Sequence, residues 1–318
     1  MNWYRTASTV KQDVKSGWTH LIANQPYVLL SVTMLLWSGN WVAGRYLAGA
    51  VPPVTLTAIR WSLAFGFLLM LSWRHVRHDL PVLLARWRMM AVLGMLSIGF
   101  YNICVYVGLS MTTVVNATLL SSTFPITIAA TAYIVYRDRL TVPQAVGILI
   151  ASCGALVVMT RGDLAHLAQF RFNAGDLWVL LSQVIWALYT ILLRERPKVH
   201  PMSFQVALIA VGLVPLVPGA AAELALGAEV SLTPDAVVAI LYVAFFASVV
   251  AYLCFNRAVV LIGANRTGPF FHLIPVFASI MAVVVLGESI EIYHLVGWSI
   301  IIAGIAAAQL GSKPPLRR

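Results

Sequence analysis

The chain has 318 residues, of which 60% are hydrophobic and only 10% are charged, and its formal net charge is +10. Soluble globular domains carry about 25% charged residues, so this composition excludes a soluble protein and indicates an integral membrane protein. In a soluble domain such a positive charge would suggest nucleic-acid binding. Here the cations lie in short loops between apolar runs, where they set membrane orientation, and we expect no nucleic-acid partner.

The first 27 residues are polar and lack the continuous apolar core of a cleavable signal peptide. Apolar residues recur in them every three or four positions, as they do in a helix that lies on a membrane surface. A frayed polar tail is the alternative, and the sequence leaves both open. In either case we expect this segment to be cytoplasmic.

Ten apolar stretches of roughly 20 residues follow, each long enough to cross the hydrocarbon layer as an α-helix. We number them spans 1 to 10, at about 28–48, 54–73, 89–109, 113–136, 143–160, 175–193, 203–222, 235–256, 266–287 and 292–311. A polar linker at 161–174 separates a first repeat, 28–160, from a second repeat, 175–311. A short polar tail follows at 312–318.

The positive charges are distributed unequally between the two sides that these spans define. Seventeen of the 21 Lys and Arg residues fall on the side that holds both termini, whereas the loops on the other side hold only Arg161 and Arg171. Loops rich in Lys and Arg stay in the cytoplasm, so both termini are expected there and the linker is expected in the periplasm. This pattern predicts a multi-pass protein of a bacterial inner membrane.

The two halves of the chain resemble each other. Matching residues are 149 positions apart in the first two spans and 150 apart from span 3 onward. The matched pairs include Trp37 with Trp186, Arg45 with Arg194, Cys104 with Cys254, Pro125 with Pro275, and Asp138 with Glu288. Because each half has an odd number of spans, the second half enters the membrane from the opposite side. Inverted repeats are a common plan of secondary transporters, whose substrate site lies where the repeats meet.

The chain resembles EamA-type proteins of the drug/metabolite transporter superfamily in four segments, namely LLWSGNWVAGRYLAGAVPPVTLTAIRW, TTVVNATLLSSTFPITIAATAYIVYRDRLT, RGDL…FNAGDLW and FHLIPVFASIMAVVVLGESI. The resemblance implies an all-α integral membrane fold with ten transmembrane helices, arranged as two inverted five-helix repeats around a central cavity. It also implies export of amino acids, other metabolites or toxic compounds. Asp138 stands where the family often has a glutamate.

Spans 4 and 9 each carry a proline near mid-membrane, and these prolines, Pro125 and Pro275, are repeat mates. Proline removes a backbone donor and kinks a helix, and the freed carbonyls must be satisfied by protein, hydroxyl groups or water. We expect a paired hinge that lines a cavity, with Ser122 beside it. The alternative is a pair of ordinary, well-packed kinks in which Ser121 and Ser122 bond back along the helix.

A single histidine, His272, lies well inside the spans of the second half. Imidazole titrates in the physiological range, so His272 is the first candidate for proton coupling or for a substrate contact. Glu288, at the other end of the same span, is the next coupling candidate. The alternative for His272 is a neutral side chain that bonds a backbone carbonyl between helices.

Asparagine and aromatic residues share helix faces in several spans, for example Asn102 with Tyr106 in span 3 and Tyr252 with Asn256 in span 8. Such side chains suit a pocket for a small polar molecule with an apolar part. Alternatively they form hydrogen bonds between helices, worth only about 0.6 kcal/mol each in membranes. The substrate-binding candidates are Trp37, Asn40, Arg45, Tyr101, Asn102, Tyr106, Ser122, Trp186, Tyr252, Asn256 and His272.

Two arginines, Arg45 and Arg60, lie inside spans 1 and 2. Charges at such positions usually face a water-filled cavity or a partner. The two guanidinium groups would attract a carboxylate near an outer vestibule, or pair with Glu288. The alternative is that each side chain extends to the lipid headgroups.

These observations predict a secondary transporter that exports a small metabolite, such as an amino acid, by alternating access and with possible proton coupling. A passive facilitator or channel-like pore is the alternative. An enzyme is not expected, since the sequence has no Walker A, H-E-x-x-H or G-x-S-x-G motif, and we expect neither cofactor nor metal. Small residues in spans 5 and 10 favour helix packing inside the fold over a dimer face, which predicts a monomer or a weak homodimer.

Overall fold

The computed structural model describes residues 24–47, 49–112, 114–163, 171–286 and 289–310, and all regular secondary structure in these ranges is helical. The predicted surface helix falls within residues 1–23, outside the described part of the chain. The α-helices are α1 Pro26–Leu47, α2 Pro53–Ala85, α3 Trp87–Gly94, α4 Tyr101–Met111, α5 Val114–Ser121, α6 Phe124–Tyr136, α7 Val142–Met159, α8 Ala174–Leu192, α9 Pro201–Ala225, α10 Pro234–Tyr242, α11 Ala251–Ile262, α12 Ala264–Thr267, α13 Leu273–Leu286 and α14 Ile292–Gln309.

Eight helical segments in the described ranges are long and apolar enough to cross a membrane. They correspond to the predicted spans 1, 2, 3, 5, 6, 7, 8 and 10, so the protein is a multi-pass membrane protein. Spans 4 and 9 are also helical, but each is divided into shorter pieces. The prediction of ten transmembrane helices is therefore only partly matched by the structure.

The two divided spans are interrupted just before their prolines. In span 4, α5 ends at Ser121 and α6 begins at Phe124, so that Pro125 lies in the first turn of a new helix. In span 9, a 3₁₀ segment at Gly268–His272 separates α12 from α13, which contains Pro275 as its third residue. Proline is well tolerated in a first turn, where its missing N–H has no partner to lose. The predicted kink in span 4 is thus an interruption of the helix, whereas in span 9 the helix tightens to a 3₁₀ segment.

Span 2 is longer than the sequence predicted. Helix α2 continues to Ala85, through the charged segment that we expected to be a loop, with one non-helical residue at Ser72 (φ −116°, ψ 17°). The extension packs against the second half of the chain, because Asp79 accepts a hydrogen bond of 2.9 Å from the backbone N–H of His200, the residue that precedes α9. The charged residues therefore form a helical surface instead of an irregular connection.

Helices that occupy corresponding positions in the two halves run antiparallel. Glu223, near the end of α9, accepts hydrogen bonds from the N-terminal backbone of α2, including one of 2.7 Å from Thr55, while Asp79 near the end of α2 contacts the start of α9. Each helix thus supplies a carboxylate to the N-terminus of the other, where the helix dipole and free N–H groups favour negative charge. This reciprocal contact ties the halves together at both ends of the helix pair.

Helices α7 and α14 form the closest helix pair. A Cβ atom on Gly147 would lie 2.3 Å from the backbone N of Ala308, and one on Gly304 would lie 2.4 Å from the backbone N of Ala151. Only glycine allows the two backbones to approach this closely. The small residues of spans 5 and 10 therefore pack against each other within one chain.

The third span of each half contains a π-helical segment, Met95–Phe100 in the first half and Val243–Val250 in the second. Such segments are rare and frequently mark functional sites, because they alter the regular pairing of backbone carbonyls. Their matching positions extend the repeat from the sequence to the backbone geometry. Both segments lie beside the centre of the molecule, where the candidate site is found.

Candidate functional site

The centre of the molecule is a cluster of aromatic side chains contributed by both halves. Trp37 of α1 lies 5.3 Å from its repeat mate Trp186 of α8, measured between ring centroids, and 5.8 Å from Tyr252 of α11. Most of these rings meet edge to face or at a tilt, which is the favourable geometry for aromatic pairs. The aromatic cluster consists of Trp37, Trp61, Tyr101, Phe124, Trp186, Tyr252, Phe255 and Phe271.

Two rings of the aromatic cluster bond to the π-helical segments. The indole Nε1 of Trp37 donates a hydrogen bond of 3.1 Å to the carbonyl of Ala247, and the hydroxyl of Tyr252 donates one of 3.2 Å to the carbonyl of Ser97. Ser97 and Ala247 are repeat mates, 150 positions apart. Each half therefore offers the same backbone carbonyl to a ring of the aromatic cluster.

Beside the aromatic cluster, Arg60 of α2 joins the first three spans of the first half. Its Nη1 donates a hydrogen bond of 3.0 Å to Oδ1 of Asn40, and its Nη2 donates one of 3.0 Å to Oδ1 of Asn102. Only 8% of the Arg60 surface is exposed. Asn40 and Asn102, both predicted site residues, thus bond to the same guanidinium, and we call these three residues the Arg60 network.

A second polar network joins the first three spans of the second half. The hydroxyl of Tyr189 donates a hydrogen bond of 2.6 Å to Oδ1 of Asn256, whose Nδ2 donates one of 3.2 Å to Oε1 of Gln205. All three side chains are buried. We call them the Asn256 network. The structure therefore separates Asn256 from Tyr252, which the sequence placed on one face: Asn256 bonds within the second half and Tyr252 bonds to the first.

The two divided spans meet at their breaks. The rings of Phe124 and Phe271 stack with centroids 4.9 Å apart and an angle of 4° between their planes. Gly268, which opens the 3₁₀ segment of span 9, faces Pro125, since a Cβ on this glycine would lie 3.4 Å from the Cα of Pro125. The two predicted hinge regions are therefore in contact with each other, and Phe271 joins them to the aromatic cluster.

Gln183 of α8 satisfies the backbone that the break in span 4 leaves open. Its Nε2 donates a hydrogen bond of 2.9 Å to the carbonyl of Leu120, and its Oε1 accepts one of 2.8 Å from the hydroxyl of Thr123. Gln183 is fully buried. The sequence contained a signal for this role, namely an amide in the middle of span 6, but not the identity of its partners.

His272 lies in the 3₁₀ segment of span 9 and is 2% exposed. Its Nε2 is 3.2 Å from the hydroxyl oxygen of Ser152 in α7. The imidazole thus links spans 5 and 9 through the hydroxyl of Ser152. Ser122 is buried beside the break in span 4. The side chains of Arg45 and Tyr106, and the whole of Glu288, lie outside the described residues.

A cavity of about 30 Å³ adjoins the aromatic cluster; its lining includes Tyr101, Ser121, Phe124 and Gln183. This volume holds about one or two water molecules and is much smaller than a metabolite. The described side chains at the centre pack against one another, so the central cavity implied by the family resemblance is closed at this point. Among the described residues, no three His, Cys, Asp or Glu side chains come together as metal ligands would.

Comparison with known proteins identifies the family. Residues 25–160 and 173–308 each match the EamA-like transporter family. The chain is 30% identical over 286 residues to a protein named uncharacterized transporter YyaM of Bacillus subtilis (strain 168), covering 89% of this chain and 92% of that protein. It is 26% identical over 180 residues to a probable amino-acid metabolite efflux pump of Salmonella typhimurium, covering 54% of this chain and 59% of that protein.

A protein of known crystal structure has the same fold, with a TM-score of 0.72 over 91% of this chain and 96% of that chain, at 19% sequence identity. The two family matches coincide with the two halves that share π-helical segments and divided spans. The chain belongs to the EamA-like transporter family and is a membrane transporter of the drug/metabolite type.

Proposed function

We propose that the protein is a secondary transporter that exports a small metabolite, such as an amino acid, by alternating access. The observation that carries this proposal is a pair of hydrogen bonds at the centre, from Trp37 to Ala247 and from Tyr252 to Ser97, whose acceptor carbonyls are repeat mates. Each bond joins one repeat to the other across the aromatic cluster. Two such similar contacts favour two arrangements of nearly equal energy, one open to each side.

The closed centre is compatible with transport only if the repeats move. The interruptions in spans 4 and 9 meet at the Phe124–Phe271 stack, and at the first of them the carbonyl of Leu120 accepts a hydrogen bond from the Gln183 side chain in addition to a turn bond from Thr123. Side-chain bonds of this kind can exchange partners without unfolding a helix. We therefore propose that the ten spans form two inverted repeats and that the aromatic cluster opens toward one side at a time.

The direction of transport and the membrane orientation are supported by different observations. The Salmonella relative is named an efflux pump, and the charge distribution of the loops predicts that both termini are cytoplasmic. Orientation is tested with single cysteines in a cysteine-free background, labelled by an impermeant thiol reagent in intact cells. We expect labelling of Leu226→Cys, which is 88% exposed after α9, and none of Ala85→Cys at the exposed end of α2. The reverse pattern would invert the proposed topology.

Proton coupling is a separate part of the proposal, with His272 as the first candidate and Glu288 as the second. Among the described residues, His272 contacts Ser152 and has no carboxylate partner. We expect His272→Gln to lose accumulation driven by a pH gradient while it keeps downhill exchange, because glutamine retains hydrogen bonding but does not titrate near neutral pH. Ser152→Ala is the matched control, since it removes the same contact without removing the titrating group. Accumulation by His272→Gln equal to that of the parent would exclude His272 from coupling.

The function itself is tested with purified protein in liposomes, loaded with a panel of amino acids and other metabolites. A carrier shows counterflow: unlabelled substrate inside accelerates the entry of labelled substrate from outside. We expect saturable counterflow for at least one member of the panel. Flux that neither saturates nor responds to internal substrate would instead favour the passive facilitator or pore.

A further inference from the structure

Among the residues that the structure describes, no negative charge compensates the buried positive charge of Arg60. The guanidinium is always protonated in proteins, and its two bonded partners, Asn40 and Asn102, are neutral amides. Its Nε is buried and has no hydrogen-bond partner in the described part of the chain. The ion pairs of the described residues, Arg194–Asp138 and His78–Asp79, do not include it. Transferring such an ion out of water costs several kcal/mol in real proteins, so an uncompensated one calls for an explanation.

The second repeat shows that the fold does not require this charge. The Asn256 network joins the three corresponding spans of the second half with a phenol and two amides, all neutral. Tyr189 is the repeat mate of Asn40, and the residue that matches Arg60 is Ile209, which is fully buried among apolar neighbours. An apolar residue at this position therefore suffices for packing. The guanidinium in the first repeat is an addition to the fold.

The surroundings of Arg60 match an acceptor with an apolar body. The guanidinium carbon lies 5.4 Å from the ring centroid of Trp61, which contacts Tyr252 at 4.9 Å. Besides Arg60 Nε, the indole nitrogens of Trp61 and Trp186 are buried donors without a partner among the described residues. Donors thus outnumber acceptors here. A carboxylate only accepts hydrogen bonds, and it forms its strongest pairs with the fork of an arginine.

We propose that Arg60 binds the carboxylate of the transported substrate, and that the substrates are small organic acids, including amino acids, with an apolar part that packs on the aromatic cluster. This inference rests on the proposed transport function and specifies its substrate class. Asn40 and Asn102 hold the guanidinium in position, and the incoming carboxylate supplies the missing charge. The carboxylate accepts from the Nε–H and from one outer N–H, so that the pair is bidentate.

The test compares acids with their uncharged or amidated analogues. Purified protein is titrated with 3-phenylpropionate and 3-phenylpropionamide, and with leucine and leucinamide, and intrinsic tryptophan fluorescence reports binding. We expect each acid to bind about tenfold more tightly than its amide, because only the acid forms a charge-assisted pair. Arg60→Gln should abolish this preference, and Arg60→Lys should retain part of it, since lysine keeps the charge but loses the fork. Arg88→Gln, at an exposed position, is the charge-matched control and should keep the preference.

A second variant keeps the test valid if Arg60→Gln does not fold. Asn102→Asp places a carboxylate on a partner that already lies 3.0 Å from Arg60, so it should fold and remove the acid preference by occupying the guanidinium. Equal affinities for acid and amide in the parent, or a preference that persists in both variants, would overturn the inference. Counterflow of a compound without acid preference would leave the transport function standing and refute the role of Arg60. Acid preference that depends on Arg60 without any counterflow would refute transport alone.

Discussion

The α7–α14 pair and the divided spans 4 and 9 satisfy their backbone hydrogen-bonding groups inside the membrane in opposite ways. In the α7–α14 pair, two unbroken helices satisfy their own backbone groups, and glycines bring the backbones into direct contact. In the divided spans, the α-helix is interrupted, and in span 4 the carbonyl of Leu120 accepts hydrogen bonds from Thr123 and from the Gln183 side chain of another helix. Backbone contact between rigid helices resists change, whereas side-chain bonds can be exchanged. We infer that the first region holds the fold and that the second allows it to move.

The largest effect is expected from a substitution in the rigid α7–α14 pair. Gly304→Ala introduces a Cβ that would lie 2.4 Å from the backbone N of Ala151 and 2.7 Å from the carbonyl O of Gly147. Since neither atom belongs to a flexible side chain, the helices must separate, and we expect a loss of about 1–3 kcal/mol in the free energy of unfolding. Gly66→Ala, in α2 with nothing within 4 Å, is the control and should be neutral or slightly stabilising. Thermal unfolding in detergent measures both, and equal midpoints would remove the distinction.

In the divided spans, the largest effect is expected from Gln183→Leu, and it should be smaller than that of Gly304→Ala. The substitution removes the hydrogen bonds of Gln183 to the carbonyl of Leu120 and to the hydroxyl of Thr123, at a cost of about 1 kcal/mol. We expect a small loss of stability together with a several-fold slower counterflow, because the break in span 4 is then packed incorrectly. Ser299→Ala, which removes an exposed hydroxyl bonded within its own helix, serves as control. A change in stability alone, with normal counterflow, would mean that this break is only structural.

Smaller effects are expected from the two central hydrogen bonds, which sharpen the comparison because their acceptor carbonyls, at Ser97 and Ala247, are repeat mates. Trp37→Phe removes the bond to Ala247, and Tyr252→Phe removes the bond to Ser97, while each keeps an aromatic ring. A membrane hydrogen bond is worth about 0.6 kcal/mol, so each variant should change counterflow by about threefold or less. The double variant should be closer to the parent than the more affected single variant. Additive losses would show that the two bonds do not oppose each other.

The smallest effect is expected far from the centre, at His200. Burial, and secondly the charge of the stacked His75, lower the pKa of His200, while Asp79 opposes them. A lowered pKa means that the unfolded state binds the proton more readily, so the contribution of His200 to stability is full above pH 6.5 and falls as the pH decreases below it. His200→Asn keeps an acceptor for the N–H of Met202 and should flatten the dependence of stability on pH between 7.5 and 5.5. An unchanged slope would contradict this account.

The sequence predicted the helical segments well, because a membrane span has to be both long and apolar. It failed where tertiary contacts decide the outcome. Helix α2 extends past its apolar part because Asp79 finds a partner in the loop before α9, and such a partner cannot be read from the charge pattern. Likewise, the prolines predicted that spans 4 and 9 are irregular. Whether a helix bends or ends at a proline depends on which groups donate hydrogen bonds to the freed carbonyls.

For the candidate site, the sequence identified residue types better than their partnerships. Asn40 was a predicted substrate-binding residue, and the structure gives it Arg60 as a partner. The charge pattern alone could not distinguish Arg60 from an arginine that extends to the headgroups. Tyr252 and Asn256 share a helix face, yet the structure gives them partners in different halves. Gln183 was overlooked because nothing in a single span shows which carbonyl of another span lacks a donor.

Alternating access is tested most directly by the accessibility of the two sides of the centre. Single cysteines at Ser121, in the cavity beside the aromatic cluster, and at Leu253, in a second cavity lined by Asn256 and Arg196, are labelled with an impermeant thiol reagent applied from each side in turn. The measurement is repeated in the presence of Trp37→Phe and of Tyr252→Phe. We predict reciprocal changes: a variant that raises labelling at one cysteine lowers it at the other. If both cysteines become more reactive together, or both react from the same side, the centre opens as a pore and the account is wrong.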